Sequence, residues 1–131
     1  MRLLEEVRQS IIALSVDYIG VEWSEEFHCL TFVRDLYKKV SITIPPIYPY
    51  ALPPQKFNIS EEDLDRWEIG YTLFLKRRKY NGKRRKWTHV GLTFPERKII
   101  HCSDYFGGKV CVSPKDEVFS FYQYVPSETL L

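Results

Sequence analysis

Three side chains in this sequence have the chemistry of a thiol hydrolase: one cysteine and, far downstream, a pair of histidines. Cys29 lies in the segment 27–34, and His89 and His101 lie twelve residues apart. A thiolate is a strong nucleophile, and an adjacent imidazole can take up the proton of a thiol. A second polar group can then orient that imidazole. Cys29, His89 and His101 are therefore the candidates for nucleophilic catalysis.

The spacing of apolar residues places Cys29 near the start of a helix. We expect this helix over residues 25–40, with Ser24 as its N-cap and two acidic residues in its first turn. Cys29 then shares its buried face with three apolar residues at helical spacing: Val33, Leu36 and Val40. If the helix begins nearer Phe27, the backbone N–H of Cys29 is free to stabilise an oxyanion. Because a helix N-terminus and an imidazolium both lower the pKa of a thiol, we expect an activated thiolate.

The two histidines fall on neighbouring strands of a predicted hairpin. Residues 87–94 and 97–102 are rich in Val, Ile, Phe and Thr, which favours strands. The midpoint between the two histidines is Pro95, so a loop centred there places them directly opposite each other, with Cβ atoms about 4.5–5.5 Å apart. Gly91 shares a face with His89, and because it has no side chain we expect the helix with the cysteine to approach the sheet there.

The rest of the chain predicts an α+β domain. An apolar stripe predicts a helix over residues 2–19 that ends at Gly20, and residues 60–64 have the pattern of a short capped helix. Five of the eight prolines lie in residues 45–54, which predicts an extended crossing segment. Further strands are predicted over 69–76, 109–113 and 118–125. Helices followed by an antiparallel sheet of about five strands make one α+β domain over residues 1–131.

The composition excludes several classes of protein. The 131 residues are 44% hydrophobic and 15% aromatic, which is a globular rather than a disordered composition. No apolar run approaches the roughly 20 residues that span a bilayer. The N-terminal residues include acids where a secretory signal has an apolar stretch, so we expect synthesis in the cytoplasm without a signal peptide. The site of action stays open, and the cell envelope after release or delivery is one option. We expect the three cysteines to be reduced.

Positive charge is concentrated in one segment. Residues 76–86 hold eight of the nineteen basic residues, which leaves eleven basic and seventeen acidic residues, or −6, for the rest of the chain. Asn81 and Gly82 predict a hairpin turn within this basic finger. The finger, Lys76 to Lys86, is a candidate site for an anionic polymer. The alternative is a solvated hairpin tip that keeps the protein soluble.

Three blocks of the sequence resemble the NlpC/P60 cysteine peptidases. Residues 27–39, followed by Ile-Pro at 44–45, resemble the nucleophile helix of that family. Residues 69–75 resemble its Pro-Gly-Asp-Leu-Val-Phe-Phe strand. The segment 89–92 resembles its His-Val-Gly-Ile-Tyr block, with His101 in the place of the third catalytic residue. The blocks occur in the order of the non-permuted members and together with their flanks span about residues 17–125.

The resemblance implies a papain-like α+β fold of the NlpC/P60 type, with N-terminal helices packed on a C-terminal antiparallel sheet. It also implies hydrolysis of an amide bond, typically in the stem peptides of peptidoglycan. Cys29 would be the nucleophile, His89 the base and His101 the orienting residue. The expected partner is a peptide or amide substrate, such as a cell-wall muropeptide. No cofactor and no metal ion are implied.

The sequence departs from the family pattern at positions that bear on substrate recognition. His28 replaces the aspartate before the nucleophile, and Tyr71 replaces the aspartate of the middle strand. The upstream tyrosine and its glycine-rich loop are shortened, which leaves Tyr18 or Trp23 in place of that tyrosine. We therefore expect Tyr18, Trp23 and His28 to bind substrate.

Four other functions are compatible with the sequence. Zinc accepts the residue types of His28, Cys29 and the two other histidines, although no Cys-x-x-Cys or His-x-x-x-His pair is present. A second option is a non-catalytic protein of the same fold, and a third is a polyanion-binding module that uses the basic finger. The fourth is an amidase or acyltransferase that acts on a substrate outside the cell wall.

Overall fold

The structure is a computed structural model that describes residues 3–44, 55–79 and 85–126. Its main elements are, in chain order, α1 (Glu5–Ser15), α2 (Cys29–Lys39), α3 (Glu61–Leu64), β1 (Thr72–Arg77), β2 (His89–Phe94), β3 (Lys98–Ser103), β4 (Lys109–Pro114), α4 (Lys115–Phe121) and β5 (Tyr122–Tyr124). The expected proline-rich segment at 45–54 and the turn at Asn81 and Gly82 lie outside the described residues. No helix in these three ranges is long and apolar enough to cross a membrane.

The five strands form one antiparallel sheet in the order β4-β3-β2-β1-β5. The prediction of helices packed on an antiparallel sheet of about five strands is confirmed. The strand predicted over 118–125 is wrong in its first half, because α4 continues to Phe121 before β5 begins. Val118 and its aromatic neighbours favour a strand by propensity, but Val118 packs into the core as part of a helix, and this tertiary contact prevails.

The two faces of the sheet are covered by different parts of the chain. On the helix face, the sheet residues pack against the buried side of α2; they are Phe74, Val90, Leu92, Ile100 and Cys102. On the histidine face, Leu73, Leu75 and Ile99 pack against Trp67 and Val118. The alternation of side chains along β2 puts His89 and Gly91 on this second face.

A buried arginine joins α1 to the sheet. The predicted helix over 2–19 is shorter, and Leu4 of its apolar stripe is 70% exposed. Arg8 is buried instead: its guanidinium lies 4.5 Å from the ring centroid of Tyr71, and Nη1 donates to the carbonyl of Ile69 at 2.9 Å. Gly70 must be a glycine, since its φ is +80° and a Cβ there would lie 2.6 Å from Cβ of Arg8.

The segment before α2 extends the sheet beyond β4. The N–H of Gly20 donates to the carbonyl of Val110 at 2.9 Å, and the N–H of Trp23 donates to the carbonyl of Gly108 at 2.9 Å. This pairing holds Trp23 next to the turn between β3 and β4. The same turn carries residues that line the pocket described below.

Candidate active site

Helix α2 begins at Cys29, later than the spacing of apolar residues predicts. Ser24 does not cap it: residues 24 and 27 form a closed turn in which the Ser24 hydroxyl accepts the N–H of Phe27 at 3.0 Å. His28 is the N-cap residue, and no side chain caps the helix there. The prediction of a helix from residue 25 is therefore wrong at its start, and the alternative of a later start is correct. Cys29 thus lies where the backbone N–H groups have no helical acceptor.

The hairpin of β2 and β3 has a different register from the predicted one. Leu92 pairs with Ile100 and Phe94 with Lys98, so the loop is centred on Glu96 and not on Pro95. Glu96 and its neighbour Arg97 both have positive φ, which closes the three-residue loop. The prediction that the two histidines lie directly opposite each other is wrong. They are diagonal neighbours on one face, two positions out of register.

Gly91 makes the diagonal contact between the histidines possible. A Cβ on Gly91 would lie 3.1 Å from Cβ of His101 and 2.8 Å from Cγ2 of Ile99, far closer than the roughly 4.5 Å of an ordinary cross-strand pair. The ring of His101 therefore reaches across β2 to His89. The expectation that α2 approaches the sheet at Gly91 is wrong, because α2 packs on the opposite face, against Val90.

A chain of hydrogen bonds connects the histidines to a third buried residue. His89 Nε2 lies 2.8 Å from His101 Nδ1, and His101 Nε2 lies 3.0 Å from the hydroxyl oxygen of Ser113. On its other side, the His89 ring stacks on Tyr122 with centroids 4.9 Å apart. Ser113 was missed by the sequence reasoning. One signal pointed to it: the spacing of twelve residues from His89 to His101 recurs from His101 to Ser113.

Burial keeps both imidazoles neutral at pH 7. It lowers the pKa of His89 well below its usual value, and the neighbouring His101 lowers it further. Burial lowers the pKa of His101 to about 4. A neutral imidazole has a free lone pair, so His89 can accept a proton.

The Cys29 thiol is neutral in the resting site. Burial raises its pKa to about 11, and hydrogen bonds from the backbone N–H groups of Val90, Leu30 and Cys29 itself offset only part of this effect. The expected thiolate is therefore wrong for the resting site. The physical reason is that the neighbouring imidazole carries no positive charge, while the apolar surroundings disfavour the thiolate.

A pocket of about 330 Å³ brings the cysteine and the first histidine together. Cys29 and His89 both line it, and so do Trp23 and His28. His101 lies behind His89, away from the pocket. Tyr18 does not line the pocket, since its ring packs beside Phe27 and Phe32 under the start of α2. Two of the three expected substrate-binding residues are thus at the pocket.

The pocket also carries charged side chains that the sequence reasoning did not assign to the site. They are Arg77, Arg85 and Asp104. Tyr105 positions Arg77: its hydroxyl accepts from Nη1 at 2.5 Å, and its ring centroid lies 4.5 Å from the guanidinium carbon. Within residues 3–44, 55–79 and 85–126, no carboxylate lies within ion-pair distance of Arg77. Arg77 therefore places a positive charge at the pocket.

The described side chains contain no cluster of three or more His, Cys, Asp or Glu residues that could hold a metal ion. His28, which the zinc alternative needs, instead lies with Nε2 at 3.2 Å from the hydroxyl oxygen of Thr31. Cys29 and His89 instead share a pocket, and His101 contacts His89 from behind.

Comparison with solved structures identifies the fold. The chain aligns with NlpC1 from Trichomonas vaginalis with a TM-score of 0.69 at 15% identity, over 92% of this chain and 42% of that one. An NlpC/P60 family protein from Bacillus cereus gives 0.63 at 20% identity, over 91% and 40%. This is the fold of NlpC/P60 family proteins. A protein from Staphylococcus aureus, described as similar to lipoprotein of the NLP/P60 family, gives 0.54 at 18% identity, over 87% and 43%.

The NlpC/P60 fold that the sequence resemblance implies is thus confirmed. The chain spans about two fifths of the length of each of these three proteins. No protein-family model matches the sequence, and a search of curated proteins found no match. The likeness therefore resides in the fold, and the chemistry must be argued from the site.

Proposed function

We propose that the protein is a cysteine hydrolase that cleaves an amide bond, with Cys29 as nucleophile, His89 as base and His101 as the residue that orients His89. One observation carries the proposal: Cys29 and His89 line the same pocket, and Nε2 of His89 lies 2.8 Å from Nδ1 of His101. The shared fold with NlpC/P60 proteins supports it.

The reaction proceeds from the neutral thiol and the neutral imidazole. His89 Nδ1 takes the proton of Cys29 as the sulfur attacks the carbonyl carbon of the substrate. The C–N bond then breaks, and His89 gives the proton to the leaving amine, so that a thioester remains on Cys29. Water attacks the thioester and passes a proton to His89. The C–S bond breaks, His89 returns the proton to the Cys29 sulfur, and a carboxylic acid and the free thiol are produced.

Backbone N–H groups beside Cys29 stabilise the negative oxygen of the tetrahedral intermediate. Those of Cys29 and Leu30 lie in the first turn of α2, where the helix supplies no acceptor. Such donors act on charge that develops during the reaction, and losing one costs an enzyme about 10²–10³ in kcat. The late start of α2 is what puts them at the nucleophile.

The proposed substrate is a stem peptide of peptidoglycan or a related peptide. Arg77 at the pocket supports a substrate that bears carboxylates, as these peptides do. Trp23 and His28 line the pocket and contact the substrate in this proposal. An amide or acyl substrate outside the wall is the alternative. Binding of an anionic polymer to the basic finger stays a prediction, because the tip of the finger lies outside the described residues.

The experiment that tests this function is digestion of defined muropeptides and of other small peptides, followed by mass spectrometry. The intact protein should release fragments cut at one amide bond, and Cys29→Ala should release none while keeping the circular dichroism spectrum of the parent. Gln9→Ala, on the exposed side of α1, is the matched control and should retain full activity. Undiminished cleavage by Cys29→Ala would exclude the thiol mechanism.

A further inference from the structure

Two residues beyond the proposed triad complete a directional chain of hydrogen bonds. We propose that Ser113 and Cys111 are positioning residues that set the tautomers of both histidines, so that Nδ1 of His89 is left without a proton. The tautomers are a property of the folded protein. Only the effect of the chain on turnover depends on the proposed hydrolase function.

The carbonyl of Phe106, at the end of this series of hydrogen bonds, decides which group donates and which accepts in each bond. A carbonyl oxygen can only accept, and it lies 3.1 Å from the Cys111 sulfur, so the S–H proton of Cys111 points to it. The Cys111 sulfur is then available only as an acceptor. The Ser113 hydroxyl lies 3.7 Å from that sulfur and donates its proton to it.

The donor role of Ser113 then decides which nitrogen of each histidine carries the proton. Because the Ser113 proton is engaged by sulfur, its oxygen accepts from His101 Nε2 at 3.0 Å. A neutral imidazole carries one N–H, so Nδ1 of His101 is the acceptor and receives the N–H of His89 Nε2 at 2.8 Å. His89 in turn keeps a bare Nδ1, the nitrogen that the proposed mechanism needs as a base.

The opposite direction would disable the base. If Ser113 donated to His101 Nε2, His101 would carry its proton on Nδ1 and donate to His89 Nε2. His89 would then carry its proton on Nδ1 and have no lone pair for the thiol. The productive arrangement makes four hydrogen bonds, from the Phe106 carbonyl to His89. The opposite one makes three, because the single Cys111 proton can then go to the Phe106 carbonyl or to Ser113 but not to both.

The fold holds the members of this chain in place. Cys111 pairs directly with His101 across β3 and β4, and Ser113 lies two positions further along β4. The ring of Phe106, from the turn between these strands, lies 5.1 Å from the ring of His101. His101 and Ser113 are both buried, so bulk water does not compete for their hydrogen bonds.

Nuclear magnetic resonance of the whole chain with ¹⁵N-labelled histidine tests the proposal without any substrate. Long-range correlations at pH 7 should show both His89 and His101 protonated on Nε2. Protonation of either ring on Nδ1 would overturn the proposal. This readout does not involve catalysis, so it stands or falls separately from the hydrolase function.

Variants of the two positioning residues give a second, graded test. Ser113→Ala removes the acceptor of His101 and should produce mixed tautomers, with kcat/KM about three- to tenfold lower, which corresponds to one neutral hydrogen bond. Cys111→Val frees the Ser113 proton and should shift both histidines toward Nδ1–H. Cys111→Ser keeps a donor and an acceptor at that position and should restore the parent tautomers. Unchanged tautomers in Ser113→Ala and Cys111→Val would refute the assignment.

An exposed hydroxyl provides the control for these variants. Ser120 lies on α4, and its hydroxyl donates to the carbonyl of Glu117 without contact to the chain of hydrogen bonds. Ser120→Ala should therefore leave the histidine tautomers and kcat/KM unchanged. A change as large as that of Ser113→Ala would show that loss of any serine hydroxyl has this effect and would count against a specific role.

Discussion

The two faces of the sheet differ in what they contribute to the site. The helix face is an apolar core in which α2 buries Phe32, Val33 and Leu36 against the strands. The histidine face carries a polar chain from His89 through His101 to Ser113. The first face thus supplies the proposed nucleophile, Cys29, at the end of a packed helix. The second supplies the proposed base, His89, and the groups that contact it.

Cys29 and His89 line one pocket beside the part of β2 that does not pair with β3. The ladder of β2 with β3 covers Leu92 to Phe94, whereas the ladder of β3 with β4 continues to Ser103. Near the start of β2, the backbone N–H of Val90 lowers the pKa of the Cys29 thiol and so offsets part of the effect of burial. The two faces therefore have different tasks. Apolar packing on one face holds the helix with Cys29, and hydrogen bonds on the other face orient His89.

The largest expected effect is on the histidine face. His89→Ala should lower kcat/KM about 10³-fold, because the base is lost. His101→Ala should lower it less, about tenfold, because an orienting hydrogen bond contributes less than proton transfer itself. Steady-state kinetics on one defined peptide measures both. A larger loss in His101→Ala would mean that the roles of the two histidines are reversed.

On the helix face, truncation should affect stability rather than chemistry. Leu36→Ala deletes a fully buried side chain of α2 and should lower the free energy of unfolding by about 2–5 kcal/mol. Urea unfolding measures the change, and kcat of the folded fraction should stay near that of the parent. If kcat fell as much as in His101→Ala, the separation between the faces would not hold.

Lowering the pH should lower the free energy of unfolding, because His101 on the histidine face binds a proton more readily in the unfolded chain. In the unfolded chain His101 takes up a proton near pH 6.5, but in the folded protein only near pH 4, because burial lowers its pKa. The unfolded state therefore binds more protons between these values, and stability falls as the pH drops from 6.5 to 4. The contribution of His101 is roughly 3 kcal/mol. Urea unfolding at pH 7 and pH 4.5 should show a smaller acid loss in His101→Asn than in the parent.

A methyl group at Gly91 should disturb the contact between the histidines. Gly91→Ala places a Cβ against Ile99 and His101, and such overpacking costs about 1–3 kcal/mol of stability. We expect kcat to fall as well, since His101 must move away from His89. Gly107→Ala provides a comparison: it has a positive φ, but a Cβ there meets no atom within 4 Å. Equal loss of kcat in both variants would show that Gly91 has no special role in the site.

The smallest expected effect concerns the pocket arginine. Arg77→Gln should raise KM for a peptide with a carboxylate beside the scissile bond about tenfold or less, with little change in kcat. The matching peptide amide, which lacks that charge, serves as the control substrate and should show no rise. A rise in KM for both peptides would mean that Arg77 shapes the pocket and does not read the charge.

The sequence predicted the start of a helix correctly where a single capping residue determines that start. Ser60 caps α3 as expected, since its hydroxyl accepts the N–H of Asp63 at 3.2 Å. The order of α2, β2 and β3 was also predictable, because helical and alternating patterns differ in period. The start of α2 was not predictable from periodicity: the closed turn between Ser24 and Phe27 competes with the helix and excludes residues 25–28 from it.

By itself, the sequence determined which residues can do chemistry, the α+β class and the grouping of His89 with Gly91 on one face of β2. These follow from residue type and from the period of two along a strand. Only the tertiary structure decided the register of the hairpin, the neutral state of Cys29 and the place of Ser113. The register depends on the shape of a three-residue loop. The pKa of Cys29 depends on every group that packs around it. Ser113 reaches His101 only once β4 has paired with β3 in the folded sheet.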